Sequence, residues 1–284
     1  MNSGPALRQP PRGGPRKLKL KIQTSIHLRR LDTLFVGRVF HDLPSVDSTN
    51  SHALSILSKS KPPEGTVVFT LCQTAGRGQL GNVWESEPGK NISLSVILYP
   101  SFLLAQNQFL LNQAISLAVA DTVAGQFPET QVKWPNDIYV GHQKVAGILI
   151  QNSISGSYLK SSVVGIGLNV NQVGFSKNAP KAASFRSLAG KAFDIDELAV
   201  VLCQNIESRY LNLKTGKIVP LQSEYLERLY RLGKNTIFLG LDGKKFRGII
   251  TGVSPFGKLQ VEVDGISKAF DLKEISIFSV EDEP

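Results

Sequence analysis

The feature that most constrains this chain is a change of texture near residue 232. Beyond it, five short apolar segments (TIFLGL, FRGIITGV, LQVEV, KAFDL and ISIF) follow at close spacing, separated by turn signals at Asp242-Gly243, Phe256-Gly257 and Asp264-Gly265. Asp-Gly between short apolar runs is hairpin chemistry, because both central positions of such a turn require positive φ. The segment therefore reads as a small antiparallel barrel or sandwich. A module of about fifty residues buries little surface, so it is expected to lean on the rest of the chain.

Ahead of residue 232 the pattern is longer and mixed. Asp47 or Ser48 can cap a helix running to Ser58, with Ala53, Leu54 and Leu57 on one face. Runs rich in β-branched and aromatic residues predict strands over 66–71 and 91–98. The spacing of Leu110, Leu111, Ala114, Leu117, Ala118 and Val123 predicts a helix over 106–124. Further strands are expected at 131–134, 145–151 and 159–169, and Asp194 with Glu197 forms a capping box for a helix reaching Leu213. Strands in pairs with intervening helices imply an α+β, mixed-sheet core rather than regular βαβ units.

Charge and composition narrow the class. The chain of 284 residues is 42% apolar, enough for a sizeable core, which excludes disordered, collagen-like and coiled-coil classes. No apolar run approaches the length of a spanning helix. The formal charge of +9 is unevenly placed: residues 1–40 hold nine basic groups and one acid, leaving 23 basic and 22 acidic groups for all the rest. A nucleic-acid-binding body would need its cations in the folded part. Residues 1–38 read as a disordered basic extension, with the alternation from Lys17 to Lys21 offering one weak edge strand. A transit peptide, a nucleic-acid tail, and a solvated stretch or one ahead of the true start of translation are the open readings. Cys72 and Cys203 sit in apolar surroundings, as reduced thiols do, and point to the cytoplasm.

Four segments carry chemistry. Gln73 to Trp84 follows a predicted strand and holds Gly76, Gly78 and Gly81, which would let a loop approach a ligand with exposed amides, while Arg77 offers a fork suited to carboxylate or phosphate. It has neither Walker A nor Rossmann spacing. Lys133-Trp-Pro-Asn-Asp137 compresses a cation, an indole and two polar side chains at a strand end, where a plain Pro-Asn turn is the alternative. Lys144-Val-Ala-Gly-Ile-Leu149 and Gly165-Ile-Gly-Leu-Asn-Val170 are strands interrupted by glycine, which weakens a strand unless a ligand or another chain segment comes close.

In this order, and preceded by Asp47-Ser-Thr-Asn50, these segments resemble the biotin–protein ligases from residue 39 to residue 278. The resemblance implies a catalytic domain over 39–231, related to class II aminoacyl-tRNA synthetase and lipoate ligase folds, and a small SH3-like domain over 232–284. It implies that biotin and ATP condense to biotinyl-5′-AMP, and that biotin then passes to a lysine of a biotin carboxyl carrier domain, with Mg²⁺ as cofactor. Arg77, Lys133 and Lys144 are the implied catalytic cations. Ser48, Thr49, Asn50, Gln73, Arg77, Gly78, Gln79, Lys144 and Gly147 would bind biotin. Gly76, Arg77, Gly78, Trp84, Asn136, Asp137 and Asn169 would bind ATP or the adenylate, and Asp137 would hold Mg²⁺.

The chain departs from the family where many members read GRGRRGR, having Gln79, Leu80 and Asn82 instead, so phosphate grip is expected to rest on Arg77 and backbone amides. Only residues 1–38 precede the matching region, too few for the winged helix-turn-helix of bifunctional members, and a monofunctional ligase without specific DNA binding or membrane attachment is expected. Homodimers occur in the family, and the sequence leaves that point open. A lipoate or octanoate ligase of the same superfamily is the nearest competing reading, and a nucleic-acid-binding regulator acting through residues 1–40 is a competitor of another class.

Overall fold

The computed structural model describes residues 1, 31–179 and 181–278. Most of the tail reading, including the strand expected between Lys17 and Lys21, lies outside the described residues.

Seven strands form one mixed sheet: β1 (Phe40–Leu43), β2 (Thr66–Thr70), β3 (Ile92–Leu98), β4 (Thr130–Lys133), β5 (Asp137–Val140), β6 (Gln143–Ser155) and β7 (Tyr158–Leu168), in the order β1-β2-β3-β7-β6-β5-β4. Only β1 and β2 run parallel. The period-2 alternation of strands divides this sheet into two unlike faces. Leu94, Val96, Ile148, Val164, Ile166 and Leu168 point to one side and join the main core with α2 (Phe109–Ala124) and α4 (Ile195–Lys214). Ser95, Gly165, Gly167 and Gly147, at the alternate positions, belong to the other side.

That second side is covered in part by α1 (Thr49–Lys59), whose Ala53, Ile56 and Leu57 pack on Val68, Ile97 and Val163. The apolar stripe is therefore 53, 56 and 57. Leu54, expected to share it, is one residue and about 100° further round the helix and is exposed. Ser48 caps α1, as read from the sequence. Asp194 caps α4 by accepting from the amides of Asp196 and Glu197.

Four elements escape sequence reading. β1 and β5 have four residues each, too short to show a period. Short α3 (Phe185–Ala189) and α5 (Ile218–Glu227) have weak signatures, the latter because Pro220 stands in its first turn, where a missing N–H is tolerated.

The five C-terminal segments all form strands: β8 (Asn235–Gly240), β9 (Lys245–Val253), β10 (Leu259–Val263), β11 (Ile266–Phe270) and β12 (Ile275–Phe278), one antiparallel sheet ordered β11-β10-β9-β8-β12. Its turns use the expected residues, with Gly243, Gly257, Asp264 and Gly265 at positive φ. Phe238, Ile250, Leu259 and Val261 belong to the same apolar cluster as the large sheet, so the small module leans on its neighbour. Among the described residues, no helix is long and apolar enough to cross a membrane. Cys203 is fully buried, and burial followed by the charge of Glu207 pushes its thiol up to about 12. Cys72 is only half-buried.

Residues 31–38 correct the expectation of a disordered extension through residue 38. Leu31, Thr33 and Val36 are buried. The amides of Leu34, Phe35 and Val36 donate to the carboxylate of Glu207 on α4 at 2.7, 2.7 and 2.9 Å. A contact across more than 170 positions leaves no local sequence pattern. Because these bonds are charge-assisted and partly or wholly buried, Glu207→Ala should lower unfolding stability by about 3 kcal/mol in denaturant titration and speed hydrogen exchange at residues 34–36. A loss under about 1 kcal/mol would count against a structural role for this contact.

Candidate active site

On the face of the large sheet away from the main core lies a cavity of about 250 Å³, and a second of about 700 Å³ adjoins it. Asn82, Val83, Trp84 and Lys144 line both.

The floor is made by what is missing. Gly147 on β6 pairs directly with Gly167 on β7. A Cβ on Gly167 would fall 2.2 Å from Cε2 of Trp84, one on Gly147 2.9 Å from its Cζ3, and one on Gly165 2.1 Å from Oδ1 of Asn50. The glycines in these strands are thus explained by the close approach of an indole and an amide, neither of which the sequence identifies as the neighbour.

The segment 73–84 folds as a small hairpin, with Arg77 bridged to Val83. The Gly78 amide donates to the Asn82 carbonyl at 2.7 Å and the Trp84 amide to the Gly76 carbonyl at 3.0 Å. The Gly78 amide is therefore engaged inside the hairpin and does not face the cavity. Gly76 is required because a Cβ there would lie 2.3 Å from the Trp84 carbonyl oxygen. Arg77, Gly78 and Gln79 line the first cavity, and the Arg77 side chain is exposed.

Ser48, Thr49, Asn50 and Gln73 line that cavity too, but they are not equivalent. The Asn50 amide donates to the Leu149 carbonyl and to Gln151 Oε1, both at 3.1 Å, and its Oδ1 lies 2.6 Å from the Ser95 hydroxyl. Ser95 also lies 2.7 Å from Thr49 Oγ1, and the Thr49 amide donates to Gln73 Oε1 at 2.9 Å. Asn50 therefore acts as a brace for its neighbours. Ser95 and Gln151, which complete this brace, are missed by sequence reading, since a serine or glutamine inside a strand carries no signal.

Of the three expected catalytic cations, the structure brings two to the first cavity. Lys144 Nζ pairs with Asp137 Oδ1 at 2.7 Å and lies 5.6 Å from the centre of the Trp84 ring. Lys133 does not line the cavity: its Nζ donates to Tyr139 Oη at 3.2 Å and sits over that ring at 4.9 Å. Asn136 lines the cavity, yet its amide donates to the Ile148 carbonyl at 2.5 Å while its own carbonyl accepts from the Ile148 amide at 3.0 Å. It fastens β5 to β6. Asp137 is the one carboxylate in the first cavity's lining, and no cluster of three or more metal-ligating side chains occurs among the described residues.

The second cavity carries two unpartnered buried polar atoms in its lining residues, Trp84 Nε1 and Asn169 Oδ1. Its far wall, with Phe175, Asn178, Ala179, Lys181 and Ala182, is pinned to Lys144, whose amide donates to the Lys181 carbonyl at 2.7 Å and whose carbonyl accepts from the Ala183 amide at 2.9 Å. Glu85 ties the same segment to the residues after Trp84 by accepting from the Ser176 amide at 3.1 Å, and Gln172 joins it, donating to Glu85 Oε1 at 3.2 Å and accepting from the Glu87 amide at 2.9 Å. Gly76 and Asn169 lie outside the first cavity, with Asn169 in the second.

The chain is similar to known proteins in sequence and in fold. Residues 43–169 match the model of the biotin/lipoate A/B protein ligase family. A biotin–[acetyl-CoA-carboxylase] ligase of Paracoccus denitrificans is 31% identical over 76% of this chain and 91% of its own length. The corresponding ligase of Mycobacterium tuberculosis is 30% identical over 77% of this chain and 81% of its own. A biotin protein ligase from Aquifex aeolicus, solved in complex with biotin and ATP, superposes with a TM-score of 0.71 at 26% identity, covering 85% of this chain and 99% of that one. The chain belongs to the biotin/lipoate A/B protein ligase family, and within it to the biotin–protein ligases.

Proposed function

We propose that the two adjoining cavities are the two substrate compartments of an ATP-dependent biotin–protein ligase, the first for biotin and the second for the nucleotide. The observation that carries this division is their shared wall, Trp84 and Lys144. A carboxylate oxygen of biotin attacks the α-phosphorus of ATP, the bond to the bridging oxygen of the β-phosphate breaks, and pyrophosphate leaves. In the second step the amine of a carrier lysine attacks the acyl carbon, the acyl–phosphate bond breaks, AMP leaves, and the amine gives up a proton.

The first step brings two anions together, and fixed cations must hold them. Lys144 stands at the junction where both would meet. Asp137 fixes its position, and Arg77 closes the hairpin side. Ser48, Thr49 and Gln73 suit the NH and C=O groups of a neutral ureido ring, which need partners once buried. Trp84 and Asn169 present a ring face and an acceptor to the adenosine. Asp137 is the residue that would hold Mg²⁺, an ion that takes one or two protein carboxylates and fills its shell with phosphate and water; when bound it supplies charge neutralisation at the phosphates. The acceptor is a biotin carboxyl carrier domain. The names of the relatives favour biotin over lipoate.

Incubation with biotin, ATP, Mg²⁺ and a carrier domain should add one biotin by intact mass, and lipoate in place of biotin should add nothing. Failure across several carrier domains would overturn the reading. Lys144→Met should lower biotin-dependent ATP–pyrophosphate exchange by about a hundredfold or more, and an unchanged rate would remove Lys144 from the chemistry. Asn169→Ala, which alters the lining of the second cavity alone, should raise the KM for ATP about tenfold and leave that for biotin nearly unchanged. Equal effects on both substrates would contradict the division into compartments.

A further inference from the structure

One side chain in the first cavity does not come from the large sheet. Leu272 lies in the connection between β11 and β12 of the small sheet, and it lines the same cavity as Pro135, Asn136 and Asp137. It is half-buried and packs against the main apolar cluster.

Its position is built. The Leu272 amide donates to Asp271 Oδ1 at 2.8 Å, the Asp271 amide to Glu274 Oε2 at 2.6 Å, and Lys273 takes a positive φ of 74°. The Asp271 carboxylate lies 3.4 Å from Lys258 Nζ. Lys258 follows Gly257, and Gly257 is where the small sheet docks on the large one. The carbonyl of Gly257 accepts from Trp134 Nε1 at 2.8 Å, and its α-carbon sits so close to Phe109 that a Cβ would fall 2.6 Å from the ring. Trp134 therefore does not face a ligand. It fixes the sheet that carries Leu272, one residue away from Pro135 in the same cavity wall.

The acyl-adenylate implied by the proposed function, on which this inference rests, reacts with whatever nucleophile reaches its acyl carbon. Attack by the carrier amine forms the amide and releases AMP. Attack by water breaks the same acyl–oxygen bond, returns biotin as its carboxylate and also releases AMP, so ATP is consumed without product. An apolar side chain over the site excludes water without offering a hydrogen bond to hold it.

We infer that Leu272 is a substrate-facing residue that shields the acyl-adenylate from water, and that Trp134 is the positioning residue that holds it over the cavity through Gly257.

The test uses the full chain with biotin, ATP, Mg²⁺ and a carrier domain, and compares AMP formed with biotin–lysine amide formed. Leu272→Gln, similar in size but able to bind water, should raise the ratio of AMP to amide about fivefold with an unchanged thermal midpoint, and Leu272→Met should restore the ratio to within about twofold. Trp134→Phe, which keeps a ring but loses the N–H, should raise the ratio in the same direction. A wild-type ratio in Leu272→Gln overturns the role of Leu272, and a wild-type ratio in Trp134→Phe overturns that of Trp134. If the wild type forms no AMP from biotin and ATP, the underlying reading fails first, and that result is distinct from either variant outcome.

Discussion

The pairing of Gly147 with Gly167 is the contact on which the site depends. These residues face each other across β6 and β7 on the side of the sheet that α2 does not cover. Their neighbours Ile148, Ile166 and Leu168 face the other way and are buried in the main core. A slip of one residue in the register would carry those aliphatic side chains out of the core and the glycines into it. The register is therefore held by aliphatic burial, each large side chain contributing about 2 kcal/mol, and the bare floor under Trp84 follows from it. Core packing on one face sets the geometry of the site on the other.

The segment Lys133–Asp137 shows why a short motif can be so specific. Its five residues have four separate tasks: Lys133 turns to Tyr139, Trp134 docks the small sheet, Asn136 fastens β5 to β6, and Asp137 holds Lys144. Each task needs a particular donor or acceptor at a particular place along a strand end, so few substitutions preserve all of them. The two sheets and the cavity wall meet at this one turn.

Much of the fold was legible because strands, turns and caps leave local marks: Asp264-Gly265 for a hairpin, Ser48 and Asp194 for helix starts, the spacing from Leu110 to Val123 for α2. The gathering of Ser48, Thr49, Gln73, Arg77 and Lys144 into one cavity was also expected from the family resemblance. What was not legible depends on contacts between distant positions. Nothing near Glu207 announces that it receives the amides of residues 34–36. Nothing near Gly165 announces that Asn50 lies over it, or near Leu272 that it reaches a cavity built from another sheet. The absence of Lys133 from the first cavity's lining has a related reason. Cross-strand pairing puts it opposite Asp137, and the tyrosine two residues further along β5 takes its ammonium group.

Under the proposed function, Lys144 is a cation for anionic substrates that already has a partner, Asp137. A lysine on a flexible stem, left alone in a cavity, would wander among many rotamers. Asp137 fixes its place, the two charged atoms being 2.7 Å apart and the side chains 30% and 20% exposed. At that exposure solvent screens the pair, so it contributes about 1 kcal/mol. A carboxylate and a triphosphate arriving together carry several negative charges and can draw the ammonium away at that expense. The pair is strong enough to hold the charge in place and weak enough to yield it. A rest of the chain that is nearly neutral, with 23 basic and 22 acidic groups beyond residue 40, is consistent with this economy: two anionic substrates are met by individually placed cations and not by a broad positive field.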